Sequence, residues 1–551
     1  MRYTMNREFA YITSRVRSAG SVAGTFLKLH SRRALLATAS PWRRPGRLLL
    51  ASIAVAAVLL ACFVLSECYG VERTIITVAH TNDLHSHLSP GTDGVEPVGG
   101  IARVATLINR IRASEPYVIA LDAGDMFMGT PFFTFYGGKA ELECYNAIGY
   151  DAVAVGNHEL DNGPRALLDL EDDAEFTLLS ANLAWRRGGK PIFEPYLLLE
   201  TEEGISVAIL GLTPGGISEM VSPSAIASVT AKSPVRTARE MIPILRDAAD
   251  AVIVLSHLGL DDDKNLARKV PGIDLIVGGH SHDLLEKPVK IRSVDAAGGA
   301  ATTYIVQAGW GGTHVGRVDM LFEDGDLAGI EAQLLPATSA VNENREVARI
   351  VGKYWNSMES TVTEVVARAS GEFPRDRSLR TGESPLGNLV ADAIRDATGA
   401  DFAVQNSGGI RSGFGPGPVT VWDVYSALPF DNRVVLLELS GDEVEDLVGE
   451  IARRMGRGSF CQVSGISFEI YDGMPRDIRV DGSPILRDGT YSVGTMSYLA
   501  EGGGGYAPLT DAGVLSTSDG FQREITAEYF RKLKNLTPRT EGRIRVKRGG
   551  R

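Results

Sequence analysis

Between Thr74 and Pro336, nine side chains able to bind a cation or move a proton stand where short apolar runs end. TIITVAHTNDLHSH carries Asp83 and His85, and ALDAGD ends in Asp125. AVGNHELD supplies Asn157, His158 and Asp161, VLSHLG supplies His257, and VGGHSH supplies His280 and His282. Asp83 and His85 are two residues apart, as are His280 and His282, and on an extended backbone that spacing sends both side chains to one side. Each has an ordinary explanation alone: an Asp after a strand caps a turn, and a His there is commonly a hydrogen-bonded structural residue. Packing does not explain all nine together. Carboxylates, imidazoles and one amide, with no cysteine set, suit Zn²⁺, Mn²⁺, Fe²⁺ or Co²⁺ in a working site rather than a structural zinc. Two ions sharing a bridging carboxylate need about seven or eight protein ligands. Seven remain once His158 and Asp161 are set aside.

The elements that must position them are short, continuously apolar strands: TIITVAH, YVIALDAGD, YDAVAVGNH, FTLLSANL, ISVAILGLT, AVIVLSHLG and IDLIVGGHSH. Helical patterns lie between them at Ile101–Ile111, Gly138–Ile148 and Val235–Ala248. Buried strands alternating with helices predict an α/β layered domain, and in such domains functional residues sit where strands end. NENREVARIVGKYWNSME (Asn342–Glu359) has helical periodicity, with Val347, Ile350, Val351 and Tyr354 on one stripe. It reads as a linker helix ahead of a second run of strands and helices. The expected division is a leader at 1–71, a first domain at 72–337, a linker at 338–362 and a second domain at 363–551.

The charge is unevenly placed. Met1–Arg47 holds ten Lys/Arg and one acid, against −12 for the whole chain, so a basic head precedes an acidic body. Leu48–Leu65 is eighteen residues without a charge, reaching about 27 Å as a helix, close to the ~30 Å bilayer core. Arg43, Arg44 and Arg47 flank it, and positive flanks stay cytoplasmic, so the body is expected outside, in the periplasm or on the outer membrane face. Three fates fit the segment: a cleaved export signal, a retained anchor, or a lipoprotein signal ending at Cys62. Contact with a membrane is expected only there. Cys144 and Cys461, far apart in the body, predict no structural disulfide. A chain with 44% hydrophobic residues argues against disorder, and its acidic body against nucleic acid as partner.

In this order, NDLHSH, GD, GNHE, SHLG and GGHSH resemble the calcineurin-like metallophosphoesterase superfamily. With the second domain, the chain resembles the secreted 5′-nucleotidase/UDP-sugar hydrolase family from Thr74 to Val546. The resemblance implies a four-layer metallophosphoesterase domain, two packed β-sheets flanked by helices, joined by a linker helix to a second α/β substrate-binding domain. It implies that Asp83, His85, Asp125 and His282 hold one divalent ion, and that Asp125, Asn157, His257 and His280 hold the other. Many relatives carry Gln at the position of His282. His158 matches the catalytic histidine, oriented by Asp161.

The second domain resembles the family's nucleotide-binding domain across GESPLGNLVADAIRDATGADFAVQNSGGIRSGFGPGPVTVWDVYSALPFDN. NSGGIR places Asn406 and Arg411 around a Gly-Gly turn, and Arg380 is a second candidate cation for phosphate or carboxylate. Phe430 in LPFDN and Tyr498 in TMSYLAEGG match the aromatic pair between which the family stacks a base, and Asn432 matches a base-contacting Asn. One departure stands out: Gly504, in the run Gly502–Gly505, replaces an Asp that binds ribose hydroxyls in the family. The implied substrate is a small-molecule nucleotide and the implied activity a 5′-nucleotidase. UDP-sugar hydrolase and 2′,3′-cyclic phosphodiesterase/3′-nucleotidase are the alternatives within the class. Outside the enzyme class stands a catalytically silent nucleotide-binding surface protein, which would show damaged ligand positions where this chain has all of them filled.

Overall fold

The computed structural model describes residues 72–92, 96–294 and 299–547. The apolar run Leu48–Leu65, Cys62 and Cys68 lie outside the described residues. No helix of the described residues is long and apolar enough to cross a membrane. Cys144 and Cys461 are buried free thiols.

Twelve principal strands build the first half: β1 (Arg73–Thr81), β2 (Val118–Asp122), β3 (Ala152–Ala154), β4 (Thr177–Leu179), β5 (Tyr196–Glu200), β6 (Ser206–Leu212), β7 (Ala251–Ser256), β8 (Leu275–Gly278), β9 (Val289–Val294), β10 (Ala300–Val306), β11 (His314–Glu323) and β12 (Asp326–Pro336). They form two six-stranded sheets, ordered β12-β11-β1-β2-β3-β4 and β9-β10-β8-β7-β6-β5. β1 to β4 run parallel, as do β6, β7, β8 and β10. Their β-branched runs bury both faces, as parallel strands covered on each side must. Ile76, Val78, Leu121, Ile209, Ile253, Leu255, Val277 and Phe322 fill the space between the sheets. Helices Ile101–Ser114 and Lys139–Ile148 cover the outer face of the first sheet. Pro234–Arg246 and Leu260–Lys269 cover that of the second, giving helix, sheet, sheet, helix.

The helix expected as a linker runs Arg345–Val362, its first turn capped by the Asn344 side chain, which accepts from Glu346 and Val347 N–H. It does more than connect. Val347, Ile350, Met358 and Val362 join the core that covers the first sheet, and Tyr354 and Lys353 both reach the Glu143 carboxylate, at 2.8 and 2.7 Å.

The second half has a five-stranded sheet from β13 (Phe402–Asn406), β14 (Arg433–Ser440), β15 (Cys461–Ser464), β16 (Thr490–Met496) and β17 (Gly513–Phe521), ordered β15-β13-β16-β14-β17. Helices Pro385–Thr398 and Gly441–Arg453 bury Ile394, Val444, Leu447 and Ile451 against it. The halves meet through aromatic rings: Trp422 lies 5.3 Å from Trp355 and 5.9 Å from Phe132, and Tyr425 stacks on Phe135.

Candidate functional site

Five parallel strands deliver the candidate ligands from their carboxyl ends, the edge where open α/β sheets bind ligands. β1 runs into Asp83 and His85, β2 into Asp125, β3 into Asn157 and His158, β7 into His257, and β8 into His280 and His282. The ligand atoms gather into overlapping groups whose members lie within 4.8 Å of one another: Asp83, His85 and His282; His85, Asp125 and His158; Asp125, His257 and His280. Asp83, His85, Asp125, Asn157, His158 and His257 are all buried.

The alternation expected of an extended backbone does not place these pairs. Asp83 and His85 have φ of 51° and 49°, His280 and His282 have 73° and 59°, and Asp125 has 57°. All five are in the left-handed region, which costs a non-glycine residue about 1 kcal/mol or more. The strands stop before these residues, and neighbouring loops over-determine the turns. Asp83 N–H donates to Gly124 O, His85 N–H to Asp125 O and Ser86 N–H to Met126 O, each at 2.9 Å. Left-handed turns let successive side chains converge on one point where a strand would have spread them along a line.

Glu159, which sequence reasoning passed over, ties two of the loops together. Its buried carboxylate accepts from Asp125 N–H at 2.9 Å, Met126 N–H at 2.8 Å and Gly156 N–H at 2.7 Å. Gly156 has no room for a side chain, because a Cβ there would sit 2.3 Å from Asp125 Oδ1. An acid directly after a candidate base, in GNHE, was the available signal.

The donor set fits cations. His85 Nδ1 is held by Met128 O at 3.0 Å, leaving its Nε2 to face His282 Nε2 at 3.0 Å, two ring nitrogens turned toward one point. His257 Nδ1 is held by Ala123 O at 2.7 Å; its Nε2 is 3.0 Å from Asp125 Oδ2 without hydrogen-bond alignment. Asn157 Oδ1 is buried and unpartnered among the described residues. Burial lowers the pKa of His257, but the negative charges of Asp125 and Asp83 reverse this and drive it to about 10. The site attracts positive charge. Burial holds His280 at about 4 and His85 well below its ordinary value, so both present lone pairs. Those donors match a pair of divalent ions.

His158 differs from the other histidines. Its Nδ1 meets Asp161 Oδ2 at 2.6 Å and its Nε2 stands 3.9 Å from Asp125 Oδ2. Burial pulls its pKa down, yet the carboxylates of Asp161 and Asp125 outweigh that and raise it overall. The raised pKa favours the protonated form of a ring beside the ligand cluster, the form that can give a proton to an oxygen.

From the second half, Phe430 sets its ring 5.8 Å from that of His158. The Phe430 loop is held by Arg523, which donates to Phe430 O at 3.1 Å, and by Gln522 N–H, which donates to Asn432 O at 2.7 Å. Asn432 Oδ1 accepts from Tyr498 N–H at 3.2 Å, and Tyr498 OH donates across to Glu219 O at 2.7 Å. Arg411 is close enough to Asp125 and Asp161 that their charges offset part of the lowering of its pKa by burial. Arg380 lies with it, joined by Arg375, another residue sequence reasoning missed. Burial, Arg411 and Arg380 draw the pKa of Arg375 down to about 10. None of the three makes a close ion pair among the described residues, so together they offer a place for an anion. Asn406, buried at the end of β13, spends its Oδ1 on Gln405 Nε2 at 3.3 Å and is not drawn to the cluster.

Comparison with known proteins decides the family. Residues 76–284 match the model of calcineurin-like phosphoesterases, and residues 363–511 match the C-terminal domain of 5′-nucleotidases. The 5′-nucleotidase of Vibrio cholerae is 30% identical over 502 residues, covering 83% of this chain and 90% of that protein. The chain belongs to the 5′-nucleotidase family of metal-dependent phosphoesterases. Among solved structures, the 5′-nucleotidase precursor of Thermus thermophilus is 32% identical with a TM-score of 0.78, covering 86% of this chain and 99% of that one. The trifunctional nucleotide phosphoesterase YfkN of Bacillus subtilis is 31% identical over 526 residues, and this chain spans 35% of its length.

Proposed function

We propose that the protein hydrolyses the phosphoester of 5′-nucleotides, releasing phosphate and nucleoside. One observation carries the reading: an aromatic ring from the second half, Phe430, stands 5.8 Å from the Asp161-paired ring of His158 at the edge of a cation-seeking cluster. The relatives named 5′-nucleotidase support it. Asp83, His85, Asp125 and His282 would hold one ion, and Asp125, Asn157, His257 and His280 the other. When bound, the two ions lower the pKa of a water and neutralise charge on the phosphoryl oxygens.

The chain's own residues supply the rest. Phe430 and Tyr498 stack the base, worth ~1–3 kcal/mol and tolerant of which base it is. Asn432 orients the ring pair through its bond to the Tyr498 N–H. Arg375, Arg380 and Arg411 draw the anionic end of the substrate toward the cluster. His158 gives its proton to the oxygen on which charge develops, while Asp161 fixes the tautomer and keeps the ring protonated. Domain limits at 72–337 and 363–551, separated by the helix, fit this division of labour, and the basic-then-apolar leader favours action outside the cytoplasm.

The test is phosphate release from AMP, UDP-glucose, 2′,3′-cyclic AMP and bis(p-nitrophenyl) phosphate, with and without Mn²⁺. Release from AMP that depends on Mn²⁺ is expected. Release from none of them, with metal bound, would overturn the assignment in favour of a silent binder.

A further inference from the structure

Trp310 stands at the edge of the ligand cluster with 44% of its surface exposed. Its ring lies nearly parallel to the imidazole of His282, with centroids 5.6 Å apart and planes at 15°. On another side it meets the His87 ring at 5.1 Å, close to perpendicular. The loop carrying it is fastened to the loop of Asp83: Asn82 Nδ2 donates to Gly309 O at 2.6 Å, and Gly311 N–H donates to Asp83 O at 2.8 Å. Gly309, Gly311 and Gly312 all have positive φ, so the turn is one that ordinary side chains rarely adopt. Trp310 is the side chain that this turn presents.

His282 needs such support. Its side chain is 31% exposed, against 3% for His85 and 0% for Asp83. Its Nε2 faces inward, 3.0 Å from His85 Nε2 and 3.4 Å from Asp83 Oδ1. A ligating imidazole is ordinarily oriented by an oxygen that accepts from its second nitrogen. Met128 O does this for His85 and Ala123 O for His257. Among the described residues, His282 Nδ1 has no such partner, and the indole face is what meets the ring.

We propose that Trp310 is a positioning residue for His282, fixing the imidazole by stacking where a hydrogen bond would usually do so, and thereby setting the affinity of the cation position shared with Asp83 and His85. This rests on His282 acting as a ligand, as proposed above. Offset ring pairs of this kind correspond to roughly a two- to tenfold effect on an equilibrium constant. A phenyl ring at position 310 keeps the face, and an alanine removes it.

The test measures Zn²⁺ affinity of the purified chain by competition with a chromogenic chelator in wild type, Trp310→Ala, Trp310→Phe, His282→Ala and the double variant Trp310→Ala/His282→Ala. Trp310→Ala should weaken one of two Zn²⁺ positions by about two- to tenfold, and Trp310→Phe should recover most of it. In the His282→Ala background, Trp310→Ala should change nothing further, because the partner ring is gone. As a second readout, the emission that disappears in Trp310→Phe should respond to titration with Co²⁺. Unchanged affinity in Trp310→Ala, or the same loss in both backgrounds, would overturn the proposal. If His282→Ala itself leaves both affinities at the wild-type value, the ligand assignment fails and this inference with it.

Discussion

On the proposed reading, His158 and Asp161 concentrate the chemistry at the scale of single residues. The 2.6 Å contact between them joins a ring whose pKa is raised to a carboxylate that keeps it so. His158→Ala should leave metal content intact and lower turnover by roughly 10²–10³. Metal analysis with steady-state rates checks this, and full turnover would refute the role. The sign of the pH dependence follows from the same pair. A raised pKa keeps the proton-donating form above pH 6.5 and loses it as pH climbs through the raised value. Asp161→Asn removes a raising charge, so the alkaline limb of the rate profile should move to lower pH, and an unmoved limb would count against the pairing. The identities of these residues were legible in GNHELD, because unusual residue types at a strand end are visible as letters. The left-handed φ of Asp83 and Asp125 was not, since no letter marks an aspartate that loop hydrogen bonds force into that region. Glu159 and Arg375 also escaped reading: a buried acid with three backbone donors, and a cation in FPRDRSLR, both look like solvated surface.

Elements place those residues through close contact between the two sheets. Gly211 on β6 backs onto Leu179 at the end of β4, and a Cβ there would stand 2.4 Å from Leu179 Cβ. Gly211→Ala should therefore force the layers apart, costing about 1–3 kcal/mol and lowering the melting temperature. Gly352 gives the contrast. It lies inside the helix Arg345–Val362, where a Cβ meets nothing within 4 Å, so Gly352→Ala should stabilise by up to about 1 kcal/mol. Thermal unfolding of both variants checks the pair, and equal shifts would contradict the packing argument. At this scale the sequence was largely readable. Continuous apolar runs such as AVIVLS gave strands buried along their whole length. What could not be read was the role of the helix after Asn344, which joins the core of the first half because its stripe is longer than a connector requires.

For the whole molecule, the two halves close over the cluster at small contacts. Ser222 and Ser224 hydroxyls donate to Glu501 Oε2 at 2.9 and 2.7 Å, beside the Tyr498–Glu219 bond. On the proposed reading, product would leave through this seam and the halves would part near Val362 in each cycle. A disulfide from Ser224→Cys with Glu501→Cys should permit one turnover and then stop until a reductant is added. Steady multiple turnover in the oxidised form would show that opening is not required. Beneath all of this lies the dinuclear cluster, and metal content tests it most directly. After loading with Mn²⁺ or Zn²⁺ and desalting, elemental analysis should find two ions per chain in the wild type and fewer in Asp125→Ala, which loses the shared carboxylate. Fewer than two ions in the loaded wild type, or two retained in Asp125→Ala, would contradict the account.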